Sequence, residues 1–235
     1  MLQPDPFHQF WHTPIGVHRF AQAEAVNEVL VRVFQTMRAT DTDNSANTSS
    51  PKAFYASSDD LLQRIRLSEW EQLVHFIVDS VRQTVVLANQ GAWPETKPGF
   101  QIAMRGIWFQ ISSQGSHHDV HTHGNCSWSG VYCLQVDPND QRRAHPMLGE
   151  TNGVTRFYGP HFNRLGGAAI DFGNAYLQNA HLDIAPVPGQ LVVFPSWLPH
   201  QAMAYHGTSD RVIVSFNVSV HAAGGSDQLN GYANV

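Results

Sequence analysis

HHDVHTHGNCSWSGVYCLQV, residues 117–136, sets a histidine-rich polar stretch directly against a run of β-branched, aromatic and small residues. The run SWSGVYCLQV (127–136) has the composition of a strand, and it is one of a series. GIWFQIS (106–112), GVTRFY (153–158), GQLVVFPS (189–196) and RVIVSFNVSV (211–220) repeat the pattern, with glycine, proline and asparagine between them. That punctuation predicts the strands of an antiparallel barrel or sandwich. The interval from Asp137 to Pro188 is longer and poorer in strand signal, as binding loops often are.

Upstream of Pro98 the period changes from two to about 3.6. Between Ala21 and Arg38, Val26, Val29, Leu30, Val33, Phe34 and Met37 form one apolar stripe, which predicts an amphipathic helix. A second stripe runs through Trp70, Leu73, Val74, Ile77, Val78, Val81 and Val85. Ser68 with Glu71 spells a capping box at its start, and Gly91 stands where it would end. Residues 40–51 (TDTDNSANTSSP) are polar and aperiodic and read as a loop.

Composition narrows the functions. Only 14% of the 235 residues are charged and the net charge is −5, which argues against a basic nucleic-acid footprint. No apolar run approaches the ~18 residues of a membrane span, and the first residues do not have the form of a secretory signal. A cytoplasmic chain with no membrane partner is the expectation. Cys126 and Cys133 make neither a disulfide framework nor a CxxC motif. Fourteen histidines are the anomaly, because imidazole is the commonest metal ligand.

Histidines two apart on an extended segment point to the same side, so His121 and His123 could address one ion. A third ligand has to come from elsewhere, and His200 ends FPSWLPH after an apolar strand. Three ligands on one side leave coordination positions open for substrate or dioxygen. A solvated histidine-rich turn is the competing reading of the same letters. Arg211 follows His200 across a turn-like segment (AYHGTSD) and heads a nearly apolar strand, where its guanidinium fork would suit a carboxylate. An ordinary surface arginine is the alternative there. Two other pairs, His117-x-Asp119 and His181-x-Asp183, also have ligand spacing. Only 19 residues separate His181 from His200 (200 − 181), too few for the strands a barrel needs between them.

These residues resemble the oxygenases that depend on Fe(II) and 2-oxoglutarate. They are similar in particular to a group of uncharacterised bacterial and phage oxygenases with the pattern HxHPNSxLSGVYY, G-x-x-F-x-x-P, G-x-L-x-x-FPSWLxH and RxxxSFN. The corresponding segments are HTHGNCSWSGVYC (121–133), GVTRFYGP (153–160), GQLVVFPSWLPH (189–200) and RVIVSFN (211–217), and FWHTPIGVHRF (10–20) is similar to that group's opening. The resemblance implies a mainly β fold, a double-stranded β-helix (jelly roll, cupin-like) packed by two or more helices. One domain is expected over residues 1–221, helical over 1–98 and β-helical over 99–221, and the composition of 222–235 (AAGGSDQLNGYANV) reads as a flexible tail.

By the same resemblance His121, His123 and His200 would hold Fe(II), with Asp119 as the alternative third ligand. Arg211 would grip the distal carboxylate of 2-oxoglutarate, and Ser129 would face that cosubstrate. The usual motif is His-x-Asp or His-x-Glu, so His-x-His is a departure, and Cys133 stands where the group has a second tyrosine. The expected reaction is hydroxylation of a C–H bond in a small metabolite or peptide side chain, with O2 consumed and succinate and CO2 released. The alternative is a three-histidine cupin-type dioxygenase that does not use 2-oxoglutarate. Trp128 and Trp197 flank the proposed site as candidate substrate contacts. Arg156 and Tyr176, with Arg164, Asn174 and His181, are further handles in or beside the loop 159–184. A homodimer is the expected assembly if the chain associates.

Overall fold

The structure is a computed structural model and describes residues 12–40, 54–90, 92–93, 99–113, 115–159 and 181–222. Among the described residues the strands and α-helices follow the order β1 (Gly16–Arg19), α1 (Ala23–Thr40), β2 (Phe54–Ala56), α2 (Leu61–Arg64), α3 (Ser68–Ala88), β3 (Phe100–Ser112), β4 (Ser116–His121) and β5 (Trp128–Gln135). Then come α4 (Asn139–Arg143), β6 (Thr155–Tyr158), β7 (His181–Ile184), β8 (Gln190–Pro195), β9 (His200–Tyr205) and β10 (Arg211–Ala222). One sheet has the order β1-β8-β5-β10-β3-β2 and the other β4-β9-β6-β7. All the paired strands within them are antiparallel. From β3 onward the chain passes back and forth between the two sheets, the winding of a double-stranded β-helix.

Why the strands form is visible in β10. Val212, Val214, Phe216 and Val218 alternate with Arg211, Ile213 and Ser215, so one face is wholly apolar. That apolar face belongs to the main core, with Phe109, Tyr132 and Leu134 of β3 and β5 and the stripes of α1 and α3. Phe34 of α1 stacks on Phe109 with ring centroids 4.3 Å apart. Each such buried aromatic contributes roughly 2–3 kcal/mol of transfer free energy. The opposite face of β10 turns to the second sheet and lines the cavity described below. In β5, Gly130 lies so close to the Phe216 ring and the Val192 carbonyl that a Cβ there would collide with both.

Several expectations need correction. Ser68 is not a cap: α3 begins after Leu67, whose carbonyl accepts from the Glu71 amide, and Ser68 Oγ bonds Glu69 instead. Starting one residue early leaves the serine inside the first turn, so the capping box does not form. The buried face of α1 extends beyond the expected stripe, since Asn27 and Val31 are buried as well. Asn27 accepts from the Tyr132 hydroxyl at 2.8 Å and donates to the Leu134 carbonyl at 2.9 Å, tying α1 to β5. The strands β1, β2, β4, β7 and β9 were not anticipated from the apolar runs. Residues 41–51 of the expected loop, Gly91 and the expected tail from 223 lie outside the described residues. Among the described residues no helix is long and apolar enough to cross a membrane.

Candidate active site

The histidines are brought together by strand register. β4 ends at His121 and β9 begins at His200, and the two residues are direct partners in the antiparallel ladder. On its other side His200 pairs with Phe157 of β6. His123 lies two residues beyond β4, held by its amide N–H to the Ser196 carbonyl at 2.9 Å. The result is a group in which one ligand atom from each of His121, His123 and His200 lies within 4.8 Å of the others. The Nε2 atoms of His123 and His200 are 3.3 Å apart.

The rings are also oriented for ligation. His200 donates through Nδ1 to the Leu198 carbonyl at 2.9 Å, and His121 donates through Nδ1 to the Asp119 carbonyl at 2.7 Å. A carbonyl can only accept, so each ring carries its proton on Nδ1 and presents a bare Nε2 lone pair. That is the arrangement of a metal-ligating histidine. Burial lowers the His200 and His123 imidazoles to about 4, with further lowering from neighbouring histidines, outweighing the opposing Leu198 hydrogen bond at His200. Phe194 packs edge-on against His200 at 4.6 Å and closes that side to water. Three imidazoles facing one point could hold a divalent ion that favours nitrogen, and iron is among these.

Across a cavity of about 90 Å³ from this trio stands Arg211. It is 3% exposed, and its Nε has no hydrogen-bond partner among the described residues. Burial pulls its guanidinium below the ordinary arginine value. A buried cation without an anion is costly, so the site is built to receive a negative group. A smaller hollow on the other side of Arg211 holds Cys133 and Gln190. Burial pushes the Cys133 thiol up to about 11, so it stays protonated at neutral pH.

The other anticipated residues fall elsewhere. Ser129 does not line the cavity, and its hydroxyl donates to Asn217 at 2.7 Å. The Asp119 side chain is 98% exposed and lies outside the trio. Asp183 is engaged by Arg156 through two hydrogen bonds of 2.7 Å, and His181 sits beside that pair rather than at the trio. Trp128 is packed in the main core on the helix side, whereas Trp197 is 54% exposed. Tyr176, Arg164 and Asn174 lie outside the described residues.

The cavity also contains residues that were not singled out, among them Trp108, Gln110, His118, Thr155 and Ser215. The two-residue alternation of GIWFQIS and RVIVSFN holds the signal for Trp108, Gln110 and Ser215. His118 gave no such signal, because an irregularity in β4 between His118 and His121 turns both inward despite their odd spacing.

No curated protein matches the sequence. Among solved structures the fold is similar to a prolyl-4-hydroxylase from Pseudomonas putida, at 13% identity and a TM-score of 0.55, covering 88% of this chain and 92% of that one. It is similar to a prolyl hydroxylase from Trichoplax adhaerens in complex with a hypoxia-inducible-factor peptide fragment, at 14% identity and a TM-score of 0.53, covering 94% and 87%. It is also similar to HygX from Streptomyces hygroscopicus with nickel and 2-oxoglutarate bound, at 9% identity and a TM-score of 0.54, covering 88% and 82%. At such identities these likenesses establish the shared fold. Residues 106–217, which contain the three histidines and Arg211, match the family described as "Putative 2OG-Fe(II) oxygenase".

Proposed function

We propose that the protein is an Fe(II)- and 2-oxoglutarate-dependent hydroxylase, acting on a C–H bond of a small molecule or a peptide side chain. The family is one of Fe(II)- and 2-oxoglutarate-dependent oxygenases. Iron with its cosubstrate would supply the oxidation R–H + 2-oxoglutarate + O2 → R–OH + succinate + CO2, in which one oxygen atom enters each organic product. His121, His123 and His200 would hold the metal through Nε2, with the Asp119 and Leu198 carbonyls fixing two of the three rings. Arg211 would bind the distal carboxylate of 2-oxoglutarate, and Phe194 would exclude water from the trio.

The observation that carries this reading is the buried Arg211 guanidinium facing the same cavity as the trio, its Nε without a hydrogen-bond partner among the described residues. It favours 2-oxoglutarate over a three-histidine dioxygenase without a dicarboxylate, for which a buried cation at this place has no use. The trio lacks the carboxylate common at such centres, and neutral imidazole is nonetheless a good ligand for iron. The test is succinate release that requires Fe(II), O2 and 2-oxoglutarate and that rises with a substrate. Ferrous protein that never converts 2-oxoglutarate overturns the reading.

A further inference from the structure

We propose, resting on the oxygenase reading above, that Gln110 and His118 are specificity-determining residues and that the substrate group they hold is an uncharged amide. Gln110 lies on the cavity face of β3, alternating with Phe109 and Ile111 on the core face, and is 8% exposed. His118 comes inward through the irregularity in β4, and its ring packs against Phe54 of β2 at 4.6 Å. β2 and β4 are edge strands of the two sheets, so this contact stands where the barrel wall is open.

Neither the Gln110 amide nor the His118 ring nitrogens find a hydrogen-bond partner among the described residues, and both line the cavity. Both groups can be reached by water in the open cavity, and a ligand that covered them without supplying partners would lose on the order of 1–3 kcal/mol for each. Arg211 is the one formal charge among the described lining residues, and the cosubstrate carboxylate takes it. Among the described residues no aspartate or glutamate lines the cavity to receive an ammonium group. A second charge on the substrate would therefore enter desolvated and unmatched. A carboxamide and an imidazole each offer a donor and an acceptor. Their complement is a group with the two side by side, as in a peptide bond or a carboxamide. A pocket made to satisfy such groups rejects analogues that lack them.

The test uses ¹⁵N-labelled, Zn(II)-loaded protein saturated with 2-oxoglutarate, so that no turnover is needed. N-acetylglycinamide is titrated in, with acetate and methylammonium as charged counterparts, while the Gln110 side-chain amide and His118 imidazole resonances are followed. Both resonances should move with the amide and stay with the ions. Affinity should fall roughly tenfold in Gln110→Met and in His118→Phe, which keep the packing shape. The proposal is overturned if the ions shift the same resonances as strongly, if the amide shifts neither, or if both variants bind it like the parent. The 2-oxoglutarate saturation step is scored separately: no binding there sinks the oxygenase reading, while the amide titration still reports on the wall.

Discussion

His121 and His200 face each other across the β4–β9 ladder with ring centroids 4.3 Å apart. The last residue of one strand is thereby set against the first of the other, and backbone hydrogen bonds fix a pair of imidazoles that the sequence holds far apart. A one-residue slip would send one ring to the opposite face, so strand register and ligand geometry are one constraint. His123 completes the group from a loop pinned to Ser196.

Alanine at His121, His123 or His200 is expected to weaken Fe(II) or Co(II) binding on the order of 100-fold or more, by anaerobic titration, with circular dichroism unchanged. Asp119→Ala should leave affinity at the parent level, because that side chain projects into solvent. Tight binding retained in His123→Ala and lost in Asp119→Ala would move the third ligand to Asp119.

Arg211→Met should raise the half-saturating 2-oxoglutarate concentration on the order of 100-fold, the usual cost of deleting one partner of a buried charge pair. In ligand-free protein the same change removes a desolvated, unmatched cation. Stability should then rise, with Tm moving about 2–4 °C for each kcal/mol relieved in a chain of this size. Added 2-oxoglutarate should stabilise the metal-loaded parent and not the variant. A variant that melts lower without ligand and still gains from 2-oxoglutarate would contradict the assignment.

What the sequence discloses follows a physical boundary. β3, β5, β8 and β10 are legible because they are buried on the core face and rich in β-branched and aromatic residues. β4 (SHHDVH) and β9 (HQAMAY) have no such run, since one face lines a polar cavity, and they become strands through pairing. The trio is legible because His-x-His on extended backbone needs no knowledge of the fold. Gln110 required the strand and its facing direction together, and His118 required the irregularity in β4, a tertiary feature. Asn27 was hidden for a different reason: a buried asparagine in a helix has meaning only once Tyr132 and Leu134 are opposite it.

Asn27→Ala should cost about 2–3 kcal/mol in urea unfolding, because it strands the Tyr132 hydroxyl and the Leu134 carbonyl in the core. Tyr132→Phe should cost about 1 kcal/mol, leaving only the Asn27 acceptor unmet. The double variant Asn27→Ala/Tyr132→Phe should be less destabilised than the sum of the two. Strict additivity would mean that the bond does not couple α1 to β5.

Asp137 controls the turn that separates His200 from Arg211. Its carboxylate accepts from the backbone N–H and hydroxyl of both Thr208 and Ser209, and the Asp137 amide donates to the Tyr205 hydroxyl at 3.3 Å. Burial alone would raise the Asp137 carboxyl, but the Ser209 and Thr208 donors outweigh it and hold the group below the usual carboxylate range. A folded pKa below the unfolded value of about 3.9 means stability that is present above that value and is lost as pH falls through the folded one. Asp137→Asn should therefore cost about 2 kcal/mol at pH 7, and the gap from the parent should narrow below roughly pH 4. Because the same turn leads directly into Arg211, the variant should also bind 2-oxoglutarate more weakly while retaining metal affinity. Urea unfolding at pH 7, 5 and 3.5, with metal and cosubstrate titrations at pH 7, checks both parts. A gap that stays constant or widens toward low pH would place the stabilising charge on another residue.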